Sequence, residues 1–487
     1  MEDVINDASA KAHVPLESIR VLNGMGPRAV YGSSSTPGEY VLYWMHSAFR
    51  TAQNPAYELA KALANAAHIP CVVVATVDLE KYTMGAKRQV KFLLEGIADV
   101  ADDCANDGAI FALRIDPVVE NCGKAALSIV GDMKPGNLMF GFERRAWAVV
   151  TERGHIPDDR EAIRFVADKA LCTVVEVETS LLVPLEELAE EHVASKSDRA
   201  DLADKLRRLQ SRYINPLPRI AVRSDEVILG LDRHGSKWDG ASQTWLPRQW
   251  LANDAVLTSV LTENGINVSL GTFQGSFLQG GQTRADALLE DFLRRGIRGF
   301  AKKGADLNGF LLTPYFAYGF LSPATVWTKV REGDFNLADQ DAVFALLIEI
   351  DLGINFVHYN FEFEHFAEAV HEWIQDLLVS RPQDPKRAAT SKLEIETGGT
   401  LDAKWNKLQK ELISKGCVAS SADVAYWVGQ ILTFSEEPKR AFKLSLDLLN
   451  RFHIFGLEPL GYFEVAKAYG LFYDEGEDEA FLKSLGL

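Results

Sequence analysis

The stretch from Leu346 to Asn360 reads Leu-Leu-Ile-Glu-Ile-Asp-Leu-Gly-Ile-Asn-Phe-Val-His-Tyr-Asn. On an α-helix, Asp351, Asn355 and His358 are spaced i, i+4 and i+7 and therefore share one face. Glu349 lies about 160° away from Asp351 around the same helix. The stretch predicts a helix with one polar face. Asp351 is better placed than Glu349 to meet a ligand, because Asn355 lies on the same face as Asp351.

Working outward from this helix, the sequence predicts two kinds of domain. From residue 280 to about 475 the pattern is almost purely helical, whereas residues 39–183 alternate apolar strand-like runs with helices. Continuous apolar strands separated by helices are typical of a parallel sheet covered on both faces. We predict a Rossmann-like α/β domain and an all-α domain, with these boundaries: a loose leader (1–38), the α/β domain (39–183), a connector (184–279), the helical domain (280–475) and an acidic tail (476–487).

Bulk composition favours an ordinary intracellular protein. The 487 residues are 47% hydrophobic, enough for two or three domains with cores of their own. The five cysteines form no CxxC motif, so neither disulfides nor a zinc site is expected. No apolar run reaches the roughly 18 residues of a membrane span, and no signal peptide is visible. We expect a cytoplasmic or nuclear location, no membrane contact and no metal.

The formal net charge of -17 argues against a protein that grips nucleic acid over its whole surface. The stretch 196–223 is locally basic, and Arg207, Arg208 and Arg212 are its candidate RNA contacts. A solvated helix face is the alternative explanation of the same charges.

Several motifs, taken in order, resemble class II photolyases of the photolyase/cryptochrome family. In the helical region Leu312-Thr313-Pro314-Tyr315-Phe316-Ala317-Tyr318-Gly319 is similar to the family's Leu-Ser-Pro-Tyr-Leu-His-Phe-Gly. Trp405-Asn406 opens a segment similar to its Trp-Asn-Ala-Ala-Gln, and Tyr426-Trp427 to its Tyr-Trp-Ala-Lys-Lys. The opening stretch matches the family's Glu-Leu-x-Val-Arg-Arg-Glu-Leu-x-x-Asn-Phe. The resemblance implies a photolyase fold, and if FAD is kept it implies Phe300, Thr313, Asn355 and Asn406 as cofactor-binding positions.

The same resemblance shows where this chain departs from the family. The base-contacting Glu falls on Ala345, and the two Arg positions hold Glu349 and Ile350. The flavin-facing Asn falls on Leu460, and the third tryptophan of the electron path falls on Phe434. These exchanges predict that the flavin site is degenerate, that no cofactor is bound and that dimer-specific DNA binding is lost.

The replacements add acids, which predicts an electronegative cavity that attracts a cation. We therefore expect a light-independent biosynthetic enzyme that acts on a cationic small molecule or an aminoacyl carrier such as tRNA, with amide-bond formation as one reaction. An FAD-dependent class II-like photolyase or cryptochrome and a non-catalytic scaffold are the alternatives. The candidate catalytic residues are Asp351, His358, Glu349 and Tyr359, and the candidate substrate contacts are Asn355, Glu362, Trp373, Trp405, Tyr315 and Glu458.

Overall fold

The N-terminal domain is built on a six-stranded sheet that runs in the order β1-β6-β5-β2-β3-β4. All neighbouring strands are parallel except β1, which pairs antiparallel with β6. The strands are β1 (Ile19–Val21), β2 (Tyr40–Met45), β3 (Cys71–Asp78), β4 (Ile110–Asp116), β5 (Ala146–Glu152) and β6 (Thr173–Val177). The computed structural model describes residues 1–26, 38–83, 85–116, 145–188, 196–222, 251–270, 278–304, 306–307, 309–360, 370–381, 390–435, 437–456 and 459–487.

The parallel strands are buried along their whole length in β2, β5 and β6, which is why they read as continuous apolar runs. Helices α2 (Pro55–Ala67), α3 (Lys87–Asp107) and α4 (Pro157–Lys169) connect and cover them. The prediction of an α/β domain is confirmed.

The prediction of a loose leader is wrong. Helix α1 (Glu2–Ala12) lies against α2 and buries Ile5 and Ala8, and β1 forms an edge of the sheet. Antiparallel pairing of Val21 with Val175 fixes this strand, and a partner so far along the chain leaves no local signal.

From residue 185 onward the regular elements among the described residues are helices. The connector holds α5 (Leu185–Leu188), α6 (Lys196–Tyr213) and α7 (Asp254–Glu263). The helices that follow are α8 (Gln282–Asp291), α9 (Phe300–Lys303), α10 (Thr313–Ala317), α11 (Pro323–Glu332), α12 (Leu337–Asn360), α13 (Glu372–Ser380), α14 (Lys392–Thr397), α15 (Ala403–Lys415), α16 (Ser421–Phe434), α17 (Pro438–Phe452), α18 (Pro459–Ala468) and α19 (Asp478–Ser484). The predicted all-α domain is confirmed.

Helix α12 is the centre of the helical domain. Among the described helices it is the one long and apolar enough to cross a membrane, but 72% of its apolar window is buried inside the protein. Gly353 lets α18 approach closely, because a Cβ there would lie 2.8 Å from Phe463 and 3.0 Å from Leu460. The helix is therefore long and apolar because it is surrounded by other helices.

The predicted acidic tail is partly structured. Helix α19 buries Phe481, and Leu485 after it is fully buried against α16, where a Cβ on Gly429 would meet the Leu485 carbonyl oxygen at 2.2 Å. The acidic residues at the start of α19 remain on its exposed side.

Two buried arginines tie the domains together through backbone carbonyls. Arg50 donates to the carbonyl oxygen of Gly319 at 3.0 Å and to that of Thr179. Arg88 donates to the carbonyl oxygens of Leu412, Ile413 and Phe452, where α15 and α17 end. The last carbonyl oxygens of a helix lack intrahelical partners, so the guanidinium caps both helix ends at once, although the Leu412 carbonyl also accepts the backbone N–H of Gly416 at 2.9 Å.

Candidate functional site between the two domains

One face of α12 carries polar side chains into the contact between the domains. Asp351 and Asn355 are fully buried, and His358 follows on the same face. Both carboxylate oxygens of Asp351 accept the backbone N–H of Leu182, at 3.0 and 3.2 Å. Leu182 follows β6, so this hydrogen bond joins the helical domain to the carboxyl edge of the sheet.

The carboxyl of Asp351 is held neutral at pH values where an exposed aspartate is ionised. Burial raises its pKa well above the usual value, and nearby Glu178 raises it further. Hydrogen bonds from the backbone N–H groups of Leu182 and Val183 oppose the shift without cancelling it. Among the described residues, the groups that hydrogen-bond to this carboxyl are backbone N–H groups rather than a Lys or Arg side chain.

Glu178, at the end of β6, is the ionised member of this cluster. Its Oε1 accepts the backbone N–H groups of Thr179 and Ser180, each at 3.0 Å, and contacts His155 Nε2 at 3.2 Å. Burial alone would raise the pKa of Glu178, but the His155 imidazole, the Arg153 guanidinium and these N–H groups outweigh it and lower the pKa to about 2.

Two histidines meet across the domain contact. The rings of His155 and His358 lie 5.6 Å apart edge to face, and Arg160 donates to the carbonyl oxygen of His358 at 2.9 Å. Burial lowers the pKa of His358 to about 3, and the nearby His155, Arg160 and Arg153 add to the shift. The Nδ1 atoms of both histidines are buried without a hydrogen-bond partner. His358 is therefore neutral and can accept or donate one hydrogen bond more than it makes.

Two of the four candidate cofactor-binding side chains carry buried polar atoms without partners. These are both amide atoms of Asn355 and the hydroxyl of Thr313. Buried polar groups are nearly always hydrogen-bonded, so atoms left over at such positions fit a ligand that supplies the missing bonds. Their donor and acceptor chemistry fits a flavin.

The other two candidate cofactor positions are occupied within the chain. Phe300 lies in an aromatic cluster, with its ring 5.3 Å from that of Phe292 and 5.9 Å from that of Phe310. The amide of Asn406 is bonded to Thr400, accepting from its N–H at 2.9 Å and donating to its carbonyl at 2.7 Å.

Glu349 faces away from Asp351, as the helical spacing predicts, and is paired with cations of the chain itself. It bonds to Arg199 on α6 and lies 3.6 Å from Lys467 on α18. Lys467 in turn pairs with the buried Glu464. These pairs neutralise the charge of Glu349 within the chain, so the structure does not support Glu349 as a carboxylate that binds an external cation.

A groove of about 340 Å³ lies between α6 and α12. Its floor is apolar and includes Ile348 and Leu352, which are almost fully buried. Ala345, where the resemblance places the base-contacting Glu, also lines it. The charged lining residues are Arg199, Asp204, Arg207 and Glu349.

The remaining predicted residues are scattered. Tyr359 is 38% exposed and packs edge to face on His358. Tyr315 is buried and donates to the carbonyl oxygen of Gln279 at 2.8 Å, and Trp373 packs on Phe481 of α19. Glu362 and Glu458 lie outside the described residues.

Trp405 forms a buried pair with Trp427. The two rings are stacked at 6.2 Å with an interplanar angle of 10°, and Phe434 packs edge to face on Trp405 at 5.3 Å. The indole N–H of Trp405 donates to the Trp427 carbonyl, and that of Trp427 to Gln409. Trp405 is thus held among aromatic groups rather than at the polar face of α12.

The three arginines proposed as RNA contacts lie in different settings. Arg207 lines the groove and pairs with Asp204 on its own helix at 2.9 Å, Arg208 is exposed, and Arg212 pairs with Glu17. Glu178, His155 and Arg199 were not predicted from the sequence. Glu178 and His155 each follow a buried strand, which marks the ligand-binding edge of a parallel sheet, whereas nothing local identified Arg199 as the partner of Glu349.

The Trp44–Ser47 turn, where β2 ends, is bound to Glu152. Glu152 Oε2 accepts the backbone N–H groups of His46, Ser47 and Ala48, at 3.0, 2.6 and 3.0 Å. These bonds fix the shape of the turn and occupy Oε2 of Glu152.

A parallel α/β domain joined to a helical domain, with a polar contact at the sheet's carboxyl edge, defines a photolyase-type fold. The family model for DNA photolyase matches residues 41–199. A deoxyribodipyrimidine photo-lyase of Methanothermobacter thermautotrophicus is 25% identical over 93% of this chain and 90% of its own length. The corresponding enzyme of Arabidopsis thaliana is 24% identical over 87% and 79%. The crystal structure of a class III photolyase from Agrobacterium tumefaciens covers 91% of this chain and 81% of its own, at 15% identity and a TM-score of 0.59.

The predicted resemblance to the photolyase/cryptochrome family is confirmed, because the chain is similar to photolyases over nearly its whole length. Membership of class II stays a prediction. The expectation that no cofactor is bound is wrong, because the relatives that match nearly the whole chain are photolyases, and photolyases depend on FAD. The biosynthetic role has no support among these relatives, which favour the photolyase alternative.

Proposed function

We propose that the protein is an FAD-dependent photolyase that cleaves pyrimidine dimers in DNA with light. One observation carries the proposal: similarity to deoxyribodipyrimidine photo-lyases extends over 93% of the chain, through both domains. A chain that had kept only the α/β scaffold would match such enzymes in that part alone. This proposal replaces the expectation of a cationic substrate and of lost dimer binding.

The helical domain offers residues suited to hold the cofactor. Asn355 and Thr313 supply buried, unpartnered hydrogen-bonding atoms, and FAD, when bound, would supply the light-driven electron. The stacked Trp405–Trp427 pair is fully buried and shielded from water. The neutral carboxyl of Asp351 and the neutral imidazole of His358 leave this face of α12 without formal charge, which lowers the cost of burying a large cofactor beside it.

The direct test combines a spectrum with a repair assay. The purified protein should show flavin absorption, and it should restore a thymine-dimer oligonucleotide under blue light but not in the dark. A protein that takes up no flavin during expression or reconstitution, or that leaves the dimer intact in the light, would sink the proposal.

Thr313→Val distinguishes two explanations of the unpartnered hydroxyl: either it binds FAD, or no ligand group meets it. If Thr313 binds FAD, the variant should hold the flavin several-fold more weakly, because a buried partner is left unpaired. If no ligand group meets the hydroxyl, the variant should lose no flavin and should unfold at a higher temperature. Thr397→Val is the matched control, since its hydroxyl is bonded to the Leu393 carbonyl on an exposed helix.

A further inference from the structure

The indole N–H groups of the stacked Trp405–Trp427 pair meet no base among the described residues. That of Trp405 donates to the backbone carbonyl of Trp427 at 2.9 Å, and that of Trp427 donates to the side-chain oxygen of Gln409 at 3.0 Å. Both acceptors are amide oxygens, which accept a hydrogen bond but are far too weakly basic to take the proton. A tryptophan of this pair that loses an electron therefore stays a cation radical, which is a strong oxidant.

Tyr426 offers the pair an electron together with a base for the accompanying proton. It precedes Trp427 on α16, and its hydroxyl donates to both carboxylate oxygens of Asp402, at 3.0 and 3.2 Å. A carboxylate within hydrogen-bond distance can take the phenolic proton as the electron leaves. Phe434, which packs on Trp405, has no such proton and is much harder to oxidise.

Asp402 also connects Tyr426 to the other tryptophan of the pair. Its Oδ1 accepts the backbone N–H of Trp405 at 2.9 Å, as the N-cap of α15. Two hydrogen bonds through one carboxylate thus join Tyr426 to Trp405, and a peptide bond joins Tyr426 to Trp427. Both tryptophans are fully buried and Tyr426 is half-buried, so Tyr426 is the one of the three rings that solvent reaches.

Lys404 makes the loss of the proton a requirement. Its ammonium group lies 3.6 Å from the centroid of the Tyr426 ring. A cation over an aromatic face is attracted to the π electrons and therefore opposes the removal of one of them. Loss of an electron alone is unfavourable for Tyr426, whereas loss of the electron together with the proton leaves a neutral radical.

We propose that Tyr426 donates an electron to the oxidised Trp405–Trp427 pair and that Asp402 accepts the proton. One electron passes from Tyr426 to the tryptophan cation radical, and the phenolic O–H bond breaks as its proton moves to the Asp402 carboxylate. The products are a neutral tryptophan, a neutral tyrosyl radical and a carboxylic acid, so charge and electrons balance.

The inference rests on the proposed function for its oxidant, because light-excited FAD is the group that removes the first electron from the pair. A soluble one-electron reductant such as ascorbate restores Tyr426, which takes its proton back from Asp402. The partial exposure of Tyr426 lets such a reductant approach it.

An ultraviolet laser flash ionises tryptophan directly, so the donor can be tested in the flavin-free full-length chain. Conversion of tryptophan radicals into tyrosyl radical is followed by transient absorption and electron paramagnetic resonance. The pair holds two of the nine tryptophans, so up to two ninths of the radicals formed can follow this path. Tyr426→Phe should lower the tyrosyl yield by up to this fraction. The control Tyr473→Phe, a half-buried ring packed on Phe481, should preserve the conversion that depends on Tyr426. An unchanged yield in Tyr426→Phe would overturn the donor.

Asp402 and Lys404 should act with opposite signs. Asp402→Asn keeps an oxygen for the Tyr426 hydroxyl and remains a good N-cap, but it cannot take the proton, so conversion on this path should slow about a hundredfold. Lys404→Met should accelerate it several-fold, because the opposing cation is gone. The control Asp423→Asn, on the same helix as Tyr426 and bonded to Ser420, should leave the rate unchanged.

The solvent isotope effect separates proton transfer from a structural role of Asp402. Conversion in the wild type should be slower in D₂O than in water, because the phenolic proton moves with the electron. Equal rates in the two solvents, or equal rates in wild type and Asp402→Asn, would overturn Asp402 as the proton acceptor. A slower conversion in Lys404→Met would overturn the opposing effect of the cation.

The flavin-free test also separates this inference from the function on which it rests. Conversion that depends on Tyr426 and Asp402 in a chain that binds no flavin would support the donor while the photolyase proposal is refuted. In the flavin-loaded chain, blue light should produce the same tyrosyl radical. Its absence in a protein that repairs dimers would leave the enzyme and remove Tyr426 as its electron donor.

Discussion

Replacing Asp351 by Asn should change how stability depends on pH. The folded-state pKa of Asp351 is raised, mainly by burial, whereas the unfolded chain titrates near the ordinary aspartate value. Between these two values the unfolded state gives up a proton that the folded state keeps. The contribution of Asp351 is therefore most favourable at low pH and declines as pH rises through this window.

The size of the effect follows from one proton. Within this window the free energy of unfolding should fall by about 1.4 kcal/mol per pH unit in the wild type relative to the variant. Asn keeps a carbonyl oxygen for the Leu182 N–H, 3.0 Å away in the wild type, so the tie between the domains persists. The variant should thus become the more stable protein as pH increases, measured by urea unfolding at several pH values.

Asp339→Asn is the matched control, with the opposite sign. The backbone N–H groups of Ala301 and Gly299 lower the pKa of Asp339, so its contribution is present above the ordinary aspartate pKa and is lost as pH falls. Parallel pH profiles for wild type and Asp351→Asn would show that Asp351 is ionised in the folded protein and would refute the reasoning.

Two more substitutions test the domain contact and the C-terminal helix. Glu178→Gln should lower the free energy of unfolding by about 3 kcal/mol at pH 7, because folding lowers the pKa of Glu178 from 4.5 to about 2, at about 1.4 kcal/mol per unit. This loss should vanish as the pH approaches 2. A loss that persists at that pH would indicate that the side chain stabilises the protein through packing instead. Gly429→Ala should free α19, because the new Cβ would lie 2.2 Å from the Leu485 carbonyl oxygen. Proteolysis near the C-terminus should then accelerate, whereas Gly399→Ala, with only ordinary contacts, should behave as wild type.

The spacing of apolar residues predicted the fold, because apolar residues recur at one characteristic spacing in strands and at another in helices. The same periodicity placed Asp351, Asn355 and His358 on one face. It could not identify the partners of that face, since the hydrogen bond from Leu182 to Asp351 joins residues 169 positions apart. Strand β1 was not predicted for the same reason, because its pairing with β6 depends on residues far along the chain.

The exchange of Arg for Glu at position 349 shows how charge counted along a sequence can mislead. Counted alone, Glu349 makes a cavity electronegative and suggests that a phosphate-bearing cofactor is excluded. In the folded chain Arg199 and Lys467 pair with it from two other helices, and Lys467 also pairs with Glu464, so this group of two cations and two carboxylates carries no net charge. Removing one partner of such a set is what costs energy, since an unpaired charge remains partly buried. Glu349 is therefore better understood as one member of a compensated group of ion pairs between α6, α12 and α18 than as a charge that makes a cavity electronegative.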